Sequence, residues 1–187
     1  MTGRALQKCR HLIAGFAIAT VLVFPCRAAV GDAAANGFSV SESAHVAAPP
    51  GKVYAALIAP GRWWSPLHTF SKNAANLSLD AKAGGCWRET LPDGGSVCHL
   101  AVVYADPGKA LVLRGALGPL QGLGVEGAMS VQLKPAGTGT DLTLVYNVGG
   151  YLKEGLAGWA VPVDQVLGEQ VGRLKSLVET GSPAPKP

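Results

Sequence analysis

Charge is scarce in this chain. Only 15% of its 187 residues are Asp, Glu, Lys or Arg, 16 basic against 12 acidic. Arg4, Lys8, Arg10 and Arg27 precede Ala29 and no acidic residue does, so the remainder carries 12 residues of each sign. Nucleic acid is gripped by clustered Lys and Arg that displace condensed counterions; without such a cluster, that partner class is excluded. The four histidines have no ligand spacing with one another, and neither Cys spacing nor His partners suggest a metal site, so no zinc is expected and no cofactor is implied. A phosphate-loop lysine, a Gly-x-Ser-x-Gly elbow and a Cys–His pair placed for nucleophilic attack are all missing. Gly122-x-Gly124-x-x-Gly127 has only the letters of a dinucleotide fingerprint, because a strand follows it where a helix is required.

An apolar run long enough to span a bilayer is lacking too. The uncharged stretch Leu12–Phe24 falls short of the roughly 20 residues that a span takes. With the basic residues before it and small residues after it, the stretch has the layout of a secretory signal peptide, residues 1–28. Cleavage contexts are Cys26-Arg27-Ala28 or Ala33-Ala34-Ala35, and no stable membrane anchor is expected afterwards. The mature protein is then exported, periplasmic or secreted. Cys9 and Cys26 leave with the signal, and Cys86 and Cys98 remain in an oxidising space that would allow a disulfide, whose formation depends on the hairpin register.

Residues 29–37 read as a flexible lead-in. Phe38, Val40, Glu42, Ala44 and Val46 then alternate with polar residues, the period of a half-buried strand. Pro49-Pro50 opens a short helix that Pro60-Gly61 ends. Leu77 and Leu79 mark a brief strand. A hairpin runs from Cys86 to Leu91 and from Ser96 to Tyr104, with Pro92-Asp93-Gly94-Gly95 as its turn. Ala110–Gly115, Val125–Lys134 and Asp141–Val148 are further strands, and a glycine-rich loop (Gly115–Gly124) reads as mobile. The period changes at the end, where Val163, Val166, Leu167, Val171, Leu174, Leu177 and Val178 form a helical stripe. That helix is expected from about Pro162 to Glu179, with Gly181 as its C′ cap, in a domain of residues 38–181 followed by a disordered tail. One helix cannot cover a whole antiparallel sheet, so an apolar cavity is expected between them.

Several of these features together resemble a known family: Ala48-Pro49-Pro50-Gly51-Lys52-Val53-Tyr54 with Pro60 and Trp63-Trp64, then Gly84-Gly85-x-Trp87-x-Glu89, Asp106-Pro107-Gly108-Lys109-x-Leu111, Gly139-Thr140-x-Leu142, and Arg173-Leu174 in the last helix. The chain is similar, from about Gly37 to Glu179, to the START-like or Bet v 1-like superfamily, the polyketide cyclase and Hsp90-ATPase-activator-homologue group. The resemblance implies an α+β helix-grip fold, a seven-stranded antiparallel sheet wrapped around the C-terminal helix. It is poor for function, since the group includes lipid carriers, cyclases and hydrolases. A chaperone-cofactor role follows only from that label, and export argues against it.

Register decides which side chains face the cavity. If Leu91 pairs with Ser96, then Trp87 lies opposite Leu100 and Glu89 opposite Cys98; these line the cavity, and the two cysteines stand on opposite faces, unable to bridge. A one-residue slip reverses every side chain on that arm, putting Trp87, Glu89 and His99 on one face and the cysteines together on the other. The turn chemistry favours the first register. The expected ligand-binding residues are Trp64, Trp87, Glu89, Leu100, Tyr104, Tyr146 and Trp159. Of the adjacent Trp63 and Trp64, one is expected to pack and the other to touch ligand. Glu89 is the catalytic candidate, because desolvation beside Trp87 would raise its pKa and poise it as an acid or base. Glu42 reads either as a cavity carboxylate or as an edge-strand charge that discourages aggregation, the second being favoured. Two functions follow: a carrier of a small apolar, lipid-like or aromatic molecule, or a cyclase or dehydratase using Glu89. Oligomeric state is left open.

Overall fold

The structure, a computed structural model, describes residues 27–184. The stretch read as a signal peptide lies outside them except for its last two residues. Eight strands form one antiparallel sheet: β1 (Arg27–Ala34), β2 (Gly37–Val46), β3 (Leu77–Leu79), β4 (Cys86–Thr90), β5 (Ser96–Asp106), β6 (Ala110–Arg114), β7 (Gly124–Ala136) and β8 (Gly139–Tyr151). Their order is β1-β2-β8-β7-β6-β5-β4-β3. A short helix, α1 (Pro50–Leu57), follows β2, and a long one, α2 (Ala160–Thr180), closes the chain. This is the α+β helix-grip arrangement, with one strand more than the expected seven.

The extra strand is β1, which occupies most of the segment read as flexible. It pairs with β2 from Arg27↔Ser43 to Ala34↔Gly37 across one irregularity near Val30. Its small residues carry no apolar alternation, so pairing with β2 and contact with α2 hold it rather than a hydrophobic face.

The inward faces of the central strands build the core. Met129, Val131 and Leu133 of β7 stand opposite Tyr146, Leu144 and Leu142 of β8, and all six are buried. Against them α2 turns Leu167, Gln170, Val171, Leu174, Leu177 and Val178. The helix begins two residues before Pro162, whose missing N–H falls in the first turn where it would have no helical partner. It ends at Gly181, left-handed at φ 82°, whose N–H bonds the Leu177 carbonyl.

The β4–β5 hairpin departs most from expectation. Near the turn the ladder is Thr90↔Ser96, Glu89↔Val97 and Arg88↔Cys98, the slipped register; beyond a bulge it becomes Trp87↔Leu100 and Cys86↔Ala101. His99 is the extra residue. A bulge puts two residues against one, so His99 and Leu100 both turn inward and are buried. Cys86 and Cys98 are brought within bridging distance, Cα–Cα 5.9 Å, and form a disulfide. The expectation of unpaired cysteines is thereby corrected, because it assumed an unbroken ladder. A second irregularity in β5, between Val102↔Leu113 and Tyr104↔Val112, does the reverse and leaves Val103 and Tyr104 both exposed.

Candidate functional site

A cavity of about 400 Å³ lies at one end of the grip. Its walls are Leu67–Phe70 from the segment after α1, Leu77 of β3, Trp87 of β4, His99 of β5, the Leu117–Leu120 loop, and Trp159, Pro162, Val163, Val166 and Leu167 at the start of α2. Toward the middle of α2 the space closes to about 20 Å³, enclosed by Leu57, Trp63, Leu111, Met129, Leu144, Val171 and Leu174 among others. The hollow therefore sits beside the N-terminal turns of α2 and not along its length.

The segment Pro60–Phe70 forms one wall and is tied down at several points. Both adjacent tryptophans are buried, and of the two Trp64 lines the cavity. Trp63 Nε1 donates to the Ala56 carbonyl and Trp64 Nε1 to the His68 carbonyl, each at 2.9 Å. The rings meet Trp87 edge to face, with centroids 6.1 Å (Trp63) and 4.9 Å (Trp64) away. From α2, Gln170 Oε1 accepts the Ser65 N–H at 2.7 Å, and Arg173 Nε donates to the Trp63 carbonyl at 2.7 Å.

The opposite wall is held from behind. Tyr146 is fully buried; its hydroxyl donates to the Gly115 carbonyl and accepts the Leu117 N–H, both at 3.1 Å. Burial pushes its phenol up to about 12. Gly127 gives the ring room, since a Cβ there would lie 2.6 Å from the Tyr146 oxygen and 2.5 Å from the Gly115 carbonyl oxygen. Gln121 Nε2 donates to the Cys98 carbonyl at 3.0 Å, which pins the loop read as mobile to the β5 bulge.

Two imidazoles interrupt the apolar lining, each backed by a carboxylate. At the mouth, His68 Nε2 lies 3.1 Å from Glu169 Oε2. Inside, His99 Nε2 lies 2.9 Å from Glu89 Oε2, with the histidine nearly buried and the glutamate completely so. The Phe70 ring stacks on His99 with centroids 5.8 Å apart. Glu89 also accepts the Phe70 N–H at 3.2 Å and the Ser71 N–H at 2.5 Å. Burial alone would raise its pKa, but the bonds from Ser71, His99 and Phe70 outweigh it and hold the carboxyl below the usual range. The chain reaches this geometry with Lys72, a non-glycine residue, at φ 56°.

Of the expected site residues, Trp64, Trp87 and Trp159 line the cavity. Glu89 stands behind His99 and its pKa moves opposite to the expected direction. Leu100 is buried, paired with Trp87, without lining the space. Tyr104 is 51% exposed on the outer face, turned out by the second β5 irregularity. Tyr146 supports a wall from outside. The residue that sequence reasoning passed over is His99, placed outward by the favoured register. The competing register, with Trp87, Glu89 and His99 on one face, held the signal that finds it.

Residues 37–179 match the family model described as polyketide cyclase / dehydrase and lipid transport. The chain belongs to this family. A search of the curated proteins finds no match. Among solved structures, this polyketide cyclase / dehydrase and lipid transport domain is similar to CalU16 from Micromonospora echinospora (TM-score 0.56, 17% identity, 86% of this chain and 87% of that one). It is also similar to the Aha1 dimer from Colwellia psychrerythraea (TM-score 0.54, 18% identity, 76% and 97%). DynU16, described as a protein of the dynemicin biosynthetic locus, aligns with TM-score 0.54 and 22% identity over 78% of this chain and 48% of its own. At these identities the likeness is one of fold.

Proposed function

We propose that this family member is exported and holds a small apolar molecule in the cavity beside the start of α2. The observation that carries the reading is the cavity itself. It has the size of a small-molecule site and walls that include Trp64, Trp87, Trp159, Val163, Val166 and Leu167, with His68, Thr69 and His99 as its polar side chains. The family's hydrophobic-ligand fold agrees with it. Export is supported by the signal-like N-terminus and the Cys86–Cys98 disulfide, a bond that persists in oxidising compartments. Cleavage after Ala28 would leave most of β1 in place, whereas cleavage after Ala35 would remove it.

The test is to purify the protein from the exported fraction, record native mass spectra, and measure thermal shifts against fatty acids, alkyl chains and fused aromatics. An apolar adduct or a stabilising ligand is expected, lost in Val166→Arg, which sets a charge into the hollow. If nothing co-purifies and no compound shifts the melting temperature, the carrier reading is wrong.

A cyclase or dehydratase reading with Glu89 as the acid or base is not carried forward. Its carboxylate is held ionised and does not line the cavity, so any proton transfer to a ligand would fall to His99 or His68.

A further inference from the structure

We infer that His99 is a hydrogen-bond acceptor for a weakly acidic hydroxyl, of the phenol or enol kind, on an otherwise apolar ligand. The inference rests on the cavity reading above and narrows the class of molecule that the cavity takes.

The argument is one of proton accounting. Glu89 is completely buried and receives N–H bonds from Phe70 and Ser71 on its two oxygens. A carboxylate so served is ionised and can only accept. His99 Nε2, 2.9 Å from Glu89 Oε2, must therefore donate. In the neutral ring this leaves the lone pair on Nδ1. Nδ1 has no hydrogen-bond partner among the described residues, and it is not among the side-chain atoms sealed in the interior without one. The imidazole is part of the cavity wall, and Phe70 covers one ring face.

In a hollow open to solvent Nδ1 accepts from water, and an apolar ligand that displaces that water must supply a donor of its own or leave the nitrogen unsatisfied, at a cost of about 1–3 kcal/mol. Here one nitrogen is fixed by a carboxylate and the other is left without a protein partner on a residue that lines a space whose remaining side chains, apart from His68 and Thr69, are apolar. An apolar molecule with a single O–H donor satisfies that nitrogen without burying a second polar group. Glu89 is then a positioning residue, which sets the tautomer without touching the ligand. The β5 bulge is what makes the arrangement possible, because a regular ladder would turn either His99 or Leu100 outward.

The experiment uses two probes that differ only in the donor, 2-naphthol and 2-methoxynaphthalene, titrated calorimetrically into the mature protein at a pH where naphthol is un-ionised. Naphthol is expected to bind about tenfold more tightly, the scale of one well-placed hydrogen bond in a dry site. In His99→Phe, which keeps a ring against Phe70, the two probes should bind alike. The ring nitrogens of the wild-type protein, read by histidine ¹⁵N NMR, provide a measure that survives even if the variant does not fold. Nε2 is expected to be protonated in the free protein, and the Nδ1 resonance should move on adding naphthol but not its methyl ether. Equal affinity of the two probes with an unmoved Nδ1 resonance overturns this inference and leaves the cavity reading intact. Failure of both probes to bind, in the conditions where the ligand screen also finds nothing, removes both.

Discussion

Glu42 should make the protein lose stability as pH rises through the weakly acidic range. It lies on β2, which is covered on both sides by β1 and β8, so it is no edge-strand charge. Its side chain is fully buried on the inner face between Val40 and Ala44. The carboxyl packs on the backbone of α2 at Gly168, where a Cβ would stand 3.3 Å from Oε1 and 3.4 Å from Oε2. Neither oxygen has a hydrogen-bond partner among the described residues, and nor does Asp164 Oδ1. Desolvation first, then the like charge of Asp164 and the hydrogen bond the two carboxyl groups can form only when one of them is protonated, push the Glu42 pKa from 4.5 to about 7.

The folded protein thus keeps a proton that the unfolded chain releases near pH 4.5. Stability is full below that value, falls as pH climbs toward about 7, and is level above it. The shift corresponds to about 3 kcal/mol at 1.36 kcal/mol per pH unit. Glu89 and Glu179 act in the opposite sense. Their pKa values are lowered because, despite burial, hydrogen bonds favour the ionised form, and the stabilisation they give is lost only as pH falls below the ordinary carboxylate range. Urea denaturation of wild type and Glu42→Gln from pH 4.5 to 8 isolates the effect. The two curves should nearly meet at the acidic end and part by about 3 kcal/mol at pH 8, the glutamine form being the more stable. Asp164→Asn should recover part of the difference. A wild-type profile parallel to that of Glu42→Gln across the whole range would refute the reasoning.

Three other outcomes follow from the wall supports. Replacing Cys86 and Cys98 with serine opens a loop whose ends are 12 residues apart and should cost about 2–3 kcal/mol in guanidinium melts, with reductant destabilising wild type equally; no change in either would mean that the pair is not bonded. Tyr146→Phe strands the Leu117 N–H and the Gly115 carbonyl and should cost about 1–3 kcal/mol, with faster amide exchange confined first to the Leu117–Leu120 loop. Gln170→Leu leaves the buried Ser65 N–H without its acceptor. A loss of similar size is expected, together with altered Trp fluorescence, because Ser65 follows the Trp63–Trp64 pair.

The sheet and the closing helix were legible because burial on one face leaves a period in the sequence. Val40 and Val46 alternate, and Leu167, Val171, Leu174 and Val178 recur at helical spacing. β1 was not legible, since Ala and Gly pair through backbone alone and leave no such pattern. The cavity's aromatic wall was partly legible: Trp64, Trp87 and Trp159 are large residues with few other places to go. The position of His99 was hidden because its strand carries two irregularities, at 99 and at 103, and each inverts the alternation on which a register argument depends. Tyr104 was misplaced for the same reason. Glu42 was misread because strand order, which decides whether a strand is an edge, is a property of pairing and not of the strand's own residues.

Glu42 and Glu89 show how little the residue type determines by itself. Both are glutamates on inward positions of the same sheet and both are fully buried. Desolvation pushes each toward neutrality. Glu89 meets the Phe70 and Ser71 amides and the His99 imidazole, and it stays ionised. Glu42 meets the backbone at Gly168 and the carboxylate of Asp164, and it holds its proton. The difference is made by what packs above each strand: a loop that turns its amides inward at Phe70 and Ser71, against a helix flank whose own N–H groups are already committed. Of the two, only the first can fix a neighbouring imidazole, and that is why the buried imidazole of the cavity lies at the β4–β5 end and not beneath the middle of the sheet.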